Sequence, residues 1–157
     1  MKLKGLVDND WVNYKKCSTF LIFPFCTFKC EKECGIQCCQ NSSLARQPII
    51  EISTEKLVQR YLENPISESI VMGGMEPLDS FEDVIEFVSI LRKCSDDPVI
   101  IYTGYYKSEI EDKIEQLQKF PNIIVKFGRF KPNEPHHIDP ILGVELASTN
   151  QYAEKIS

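Results

Sequence analysis

Short, largely apolar runs alternate along the chain with longer segments whose apolar positions recur every three or four residues. Thr19-Phe20-Leu21-Ile22-Phe23, stopped by Pro24, reads as a buried strand. Ser69-Ile70-Val71-Met72, running into two glycines, reads the same way. So do Pro98-Val99-Ile100-Ile101-Tyr102, stopped by Thr103-Gly104, and Ile123-Ile124-Val125-Lys126-Phe127. Between them lie three helical faces. Leu57, Val58, Tyr61 and Leu62 form the first, with Ser53 or Thr54 as cap and Asn64-Pro65 as stop. Phe81, Val84, Ile85, Phe87, Val88, Ile90 and Leu91 form the second, capped by Asp79 or Ser80. Ile110, Ile114, Leu117 and Phe120 form the third, capped by Ser108. Trp11, Val12 and Tyr14 are expected as an edge segment within the polar first 18 residues. Residues 131–140 read as a Pro-rich loop, and Ile141 to Leu146 as one more strand.

Strands alternating with helices imply a parallel sheet with crossover helices. At 157 residues the chain suits one domain, 1–157, and is too short for an eight-fold barrel. The expected class is therefore α/β, an open partial (β/α) barrel. In such sheets the working loops gather at the carboxyl ends of the strands. Three loops fall there: Cys26–Cys39, Gly73–Pro77 and Thr103–Tyr105.

The first loop carries the chemistry. Phe25 to Asn41 reads FCTFKCEKECGIQCCQN and holds five of the seven cysteines: Cys26, Cys30, Cys34, Cys38 and Cys39. Thiolates favour zinc, copper(I) and iron–sulfur clusters. A structural zinc site usually pairs a C-x2-4-C unit with two further ligands some way off, whereas all candidates here share one loop. A C-x3-C opening followed by a further Cys is typical of a cluster loop. With three thiolates on a four-iron cluster, one iron keeps an open position. A disulfide framework fits poorly, because seven is odd, Cys38 and Cys39 are adjacent, and Met1 to Gly5 has no apolar signal-peptide core. Cys17 stands apart and reads as a small buried residue.

Composition adds exclusions. Hydrophobic content of 43% and charged content of 26% are ordinary for a globular chain. The net charge of −5 argues against nucleic acid as the main partner. No apolar run approaches the length that spans a bilayer. Reduced thiols without a targeting signal point to a cytoplasm.

A second constellation, Gly73-Gly74-Met75-Glu76-Pro77, follows the second strand. Two glycines let backbone approach a ligand, and Glu76 brings one carboxylate to that spot. With the cysteine loop, this turn resembles the radical S-adenosylmethionine (SAM) superfamily, whose members carry a C-x3-C…C loop after the first strand and a Gly-Gly-Glu-Pro-like turn after the second. Tyr102-Thr103-Gly104-Tyr105, Gly128-Arg129-Phe130 and Ser148-Thr149-Asn150-Gln151 resemble, more narrowly, the activating proteins of anaerobic ribonucleotide reductase. The resemblance runs from about Phe20 to Gln151.

Departures are visible. The usual C-x3-C-x2-C would place a Cys at position 33, where Glu33 stands. Cys39-Gln40-Asn41 looks partly like the ending of glycyl-radical activase loops. The resemblance therefore implies Cys26, Cys30 and Cys39 as cluster ligands, with Cys34 the alternative third ligand and Cys38 behind it. Met75 separates Gly74 from Glu76. The acidic residue that often precedes Gly-Arg is absent, and Lys126-Phe127 stand there.

The resemblance implies a [4Fe-4S] cluster and SAM as cofactors, with Gly73, Gly74, Glu76, Thr103 and Arg129 binding the latter. It also implies reductive cleavage of SAM to a 5′-deoxyadenosyl radical. The expected partners are a glycyl-radical enzyme, in the first place anaerobic ribonucleotide reductase, and a flavodoxin-type or other low-potential electron donor. Two alternatives stay open: a radical SAM enzyme acting on another protein or peptide, and a non-enzymatic zinc-binding interaction module. His136-His137, beside Pro135, read as solvated or partner-contacting, and the charges from Lys107 to Lys119 as a solvated helix face.

Overall fold

The computed structural model describes residues 1–157. Its strands are β1 (Lys2–Leu3), β2 (Gly5–Asp10), β3 (Ser18–Phe23), β4 (Ile50–Glu51), β5 (Ile70–Gly74), β6 (Val99–Tyr102), β7 (Ile123–Phe127), β8 (His137–Ile138), β9 (Glu145–Leu146) and β10 (Tyr152–Lys155). Its helices are α1 (Lys29–Cys34), α2 (Ser42–Ala45), α3 (Thr54–Leu62), α4 (Phe81–Leu91) and α5 (Glu111–Leu117).

The four apolar runs become β3, β5, β6 and β7, paired in parallel in that order. Antiparallel strands close both flanks, so the six-stranded mixed sheet runs β10-β7-β6-β5-β3-β2. The parallel strands are apolar on both faces because both faces are covered. On one face Leu21, Phe23, Ile70, Met72, Val99, Ile101, Ile123 and Val125 pack against α3, α4 and α5 through Tyr61, Phe87, Leu91 and Leu117. On the other face Val71, Ile100 and Ile124 meet Tyr14 and Leu142 from loops and Leu146 from the short β9, with no helix among them. All three long helices thus share one face, and the opposite face is free to carry a site at its upper end.

The period-two alternation of strands decides which residues reach that end. Ile22 is level with Gly73, and Tyr102 is level with Lys126. These four occupy the helix-free face at the carboxyl ends of β3, β5, β6 and β7. The charged member, Lys126, is buried there.

Several local expectations are replaced. Ser53 does cap α3, accepting from the Lys56 N–H at 3.3 Å. Ser108 caps nothing: it lies in a 3-10 turn, Lys107–Glu109, whose entry is closed by Glu109 accepting from the Tyr106 N–H at 2.8 Å. Trp11 and Val12 are exposed and only Tyr14 packs inward; the edge strand is β2, just before them. The strand expected over Ile141–Leu146 shrinks to β9. Asp139 Oδ1 accepts from the Ile141 and Leu142 N–H groups, each at 2.9 Å, and this folds the segment into a turn.

Candidate metal centre

The loop after β3 is held against the turn after β5 by backbone. The Met75 N–H donates to the Phe23 carbonyl at 3.3 Å and the Glu76 N–H to the Phe25 carbonyl at 2.7 Å. Pro24 ends the strand, and the left-handed Phe28 (φ 53) turns the chain into α1. Cys26 precedes this bend and Cys30 lies in the first turn of α1. The left-handed Gly35 (φ 72) then terminates the helix. The chain returns through Cys39, whose N–H donates to Glu31 Oε1 at 3.1 Å. Asn41 completes the return, donating its side-chain amide to the Gly74 carbonyl at 2.6 Å.

These segments enclose a cavity of about 360 Å³. Cys26, Cys30 and Cys39 line it, together with Gly73, Gly74, Glu76 and Thr103. Cys34 and Cys38 are not among its lining residues; their Sγ atoms lie 2.9 Å from each other. No three His, Cys, Asp or Glu side chains gather on one point as a single-ion site would need. Thiols spread around a volume of this size suit a multi-iron cluster better than one ion. Burial pushes the Cys26 thiol up to about 11 and raises Cys30 and Cys39 as well. Metal binding at this site must therefore displace protons, and a soft, highly charged centre is the natural exchange for them.

Glu76 is buried, and both its oxygens are engaged. Oε1 accepts from the Leu78 N–H at 3.1 Å and Oε2 from the Gly104 N–H at 2.8 Å. Burial raises its carboxyl to about 7, against the lowering effect of those two N–H donors. The second bond ties the turn after β5 to the turn after β6. A methyl group on Gly104 would lie 3.5 Å from Cys30 Sγ and 3.6 Å from Glu76 Oε2, so Gly104 sits between thiol and carboxylate. Thr103 is buried beside it, its hydroxyl accepting from the Tyr105 N–H at 3.0 Å.

Gly74 is required by the chain itself. Its φ is +86°, and a Cβ there would stand 2.5 Å from Ile22 Cγ2. At Gly73 the added atom would be 3.0 Å from Phe20. The Gly-Gly pair thus brings β5 close to β3, as well as forming a wall of the cavity.

Lys126, in β7, and Arg129, just after it, have separate tasks. Arg129 is buried but outside the cavity lining. Its Nη2 lies 2.6 Å from Glu109 Oε1, its Nε 3.2 Å from Glu33 Oε2, and its guanidinium is 4.5 Å from the Tyr106 ring centre. The cation that does line the cavity is Lys126, whose Nζ donates to the Gly128 carbonyl at 2.9 Å. Burial pulls its ammonium down to about 8, with Glu76 and Cys30 holding it up.

A comparison with protein families matches residues 15–149 to one described as a 4Fe-4S single cluster domain. The chain belongs to this family. No curated protein matches it. The match covers β3 through β9 and every cavity residue named above, so this is an iron–sulfur protein whose cysteine loop lies within the family's own span. No helix of the 4Fe-4S domain is long and apolar enough to cross a membrane.

Three site residues escaped the sequence reading. Lys126 enters the sequence reading only within the fourth strand and where an acidic residue often precedes Gly-Arg, although strand parity places it with Tyr102 on the helix-free face. Asn41 and Gly104 carried no signal beyond their motifs, because their roles are hydrogen bonds across 33 and 28 residues of chain.

Proposed function

We propose that the chain is a radical SAM enzyme. It reductively cleaves SAM to a 5′-deoxyadenosyl radical and uses that radical to generate a glycyl radical on a partner, anaerobic ribonucleotide reductase in the first place. The observation that carries this reading is one cavity lined both by three thiols of the Cys26–Cys39 loop and by the Gly73–Glu76 turn. The family's single 4Fe-4S cluster supports the iron–sulfur part of it. Helices on one sheet face and a cavity at the strands' carboxyl ends are in keeping with an open partial barrel.

Cys26, Cys30 and Cys39 would hold the cluster. Bound there, a [4Fe-4S] cluster supplies a low-potential electron and one iron not ligated by the chain. The chain's own part is binding and orientation. The backbone of the Gly73–Glu76 turn and the Glu76 carboxylate offer acceptors to the methionyl ammonium of SAM. Lys126, with ammonium protons beyond the one given to Gly128, offers the cation for the methionyl carboxylate. Arg129 is spent on Glu109 and Glu33, so its task is to hold the turn after β7 against α1. The electron comes from a flavodoxin-type or similar donor.

The test is anaerobic reconstitution followed by reduction with SAM, then by co-incubation with anaerobic ribonucleotide reductase. Methionine and 5′-deoxyadenosine in equal amounts, and a glycyl-radical doublet by electron paramagnetic resonance, are expected. SAM cleavage without the doublet would move the reading to another protein or peptide substrate. A colourless chain with stoichiometric zinc would overturn it.

A further inference from the structure

Two of the five loop cysteines are left over once three line the cavity, and they are placed against each other. Cys34 ends α1, and Gly35 in the left-handed region reverses the chain immediately after it. Three residues later Cys38 returns to the same spot, with the Sγ atoms 2.9 Å apart. Cys34 Sγ also approaches the Ile36 carbonyl at 3.5 Å, inside the small loop that the two thiols would close. Neither side chain is fully buried. A disulfide needs an S–S separation of about 2.05 Å and closely placed Cβ atoms. The helix end and its glycine reversal bring the thiols together, so a local closure is all that bond formation requires.

We propose that Cys34 and Cys38 form a redox-active dithiol, a modification site at the rim of the metal centre and separate from its ligands. The oxidant is a disulfide of the glutathione class. One thiolate attacks it, forms a mixed disulfide and releases one thiol. The second thiolate displaces the second thiol and closes the Cys34–Cys38 bond. Two electrons and two protons leave the pair, and the oxidant is reduced to two thiols. The remaining cysteines differ in kind. Cys17 is buried, its sulfur 3.8 Å from Asn9 Oδ1, and Cys94 is exposed.

The assignment rests on the reading of Cys26, Cys30 and Cys39 as the cluster ligands. The experiment therefore follows both. The cluster-loaded chain is equilibrated anaerobically with a glutathione redox buffer, free thiols are alkylated, and the cysteines are mapped by peptide mass spectrometry alongside iron analysis. An intramolecular Cys34–Cys38 bond, two mass units lighter and without glutathione, is expected, while Cys94 carries a glutathione adduct. In Cys38→Ser the adduct is expected to remain on Cys34, and iron to stay at the wild-type level. Separate adducts on Cys34 and Cys38, or two thiols as alkylatable as without oxidant, would overturn the dithiol while leaving the ligand reading intact. Loss of half or more of the iron in Cys34→Ser would overturn the ligand reading, and the dithiol with it.

Discussion

The side-chain amide of Asn41 donates to the carbonyl of Gly74 at 2.6 Å, joining the end of the cysteine loop to the turn after β5. Cys39 lies two residues before this bond, and the Gly73–Glu76 wall begins at it. The thiol and the wall are thus set relative to each other by one hydrogen bond. Asn41→Ala should cost about 1 kcal/mol in stability. It should leave the cluster in place and weaken SAM binding about tenfold. Iron analysis and a SAM titration on the same preparation check both halves.

Two glycines of the site should respond differently to a methyl group. At Gly74 the added atom would meet Ile22 Cγ2 at 2.5 Å and sit at positive φ. Strain of ~1–2 kcal/mol and overpacking of ~1–3 kcal/mol both apply, so Gly74→Ala should destabilise the whole chain. At Gly104 the nearest atoms are 3.5 and 3.6 Å away, an ordinary contact distance. Gly104→Ala should fold with a Tm close to wild type yet perturb the site, since the methyl lies between Cys30 Sγ and Glu76. Thermal melts combined with the electron paramagnetic resonance spectrum of the reduced cluster distinguish the two.

Lys126 and Arg129 are close in sequence and opposite in expected behaviour. The folded value of Lys126 is pulled down to about 8, below its value in the unfolded chain. The unfolded state therefore binds more protons between the two values, and this group makes stability rise with pH across that window. Lys126→Met should remove that contribution. The variant should be more stable than wild type at neutral pH, by up to roughly 3 kcal/mol at ~1.4 kcal/mol per pH unit of displacement. It should bind SAM at least tenfold more weakly. Chemical denaturation at several pH values measures the first effect and a SAM titration the second.

Arg129→Met should instead destabilise, by about 2 kcal/mol, somewhat less than the ~3–5 kcal/mol for breaking a fully buried pair. The hydrogen bond from Arg129 holds the Glu109 carboxyl below its ordinary value. A depressed carboxylate contributes stability that is present above its unfolded value and lost as pH falls through the folded one. The gap between wild type and variant should therefore be full at neutral pH and shrink in acid below the usual carboxylate range. A constant gap from pH 7 to pH 3 would mean that packing on Tyr106, not charge, is the contribution of Arg129.

The parallel strands were legible because each is a short run of mostly apolar, β-branched or aromatic residues, covered on both faces. Helices α3 and α4 were legible from their period. The flanking strands were not. Gly5–Asp10 and Tyr152–Lys155 are short and largely polar or half-exposed, and they are strands because β3 and β7 offer them free edges. Phe127 adds a ring contact to Tyr152, with centroids 5.4 Å apart, which no local pattern announces. In the site, the spacing of Cys26, Cys30 and the later thiols pointed to a cluster loop but left Cys34, Cys38 and Cys39 in competition. What resolves the competition in space is the reversal at Gly35, which returns Cys38 to Cys34 while Cys39 lines the cavity, a backbone event that spacing alone does not encode. Arg129 drew attention as a charge beside a glycine; Lys126 did not, since its role depends on three neighbouring strands being in register.

The most direct test of the proposed centre is the electron paramagnetic resonance spectrum of the anaerobically reconstituted, reduced chain before and after adding SAM, with iron and sulfide counted on the same sample. About four irons and four sulfides per chain are expected, with a cluster signal that SAM shifts. The same shift should appear in the Cys34→Ser/Cys38→Ser double variant, and Cys39→Ser should lose the cluster, because a hydroxyl is a poor ligand beside soft thiolates. A cluster signal indifferent to SAM would contradict the proposed function. An intact, SAM-responsive cluster in Cys39→Ser would contradict the ligand set.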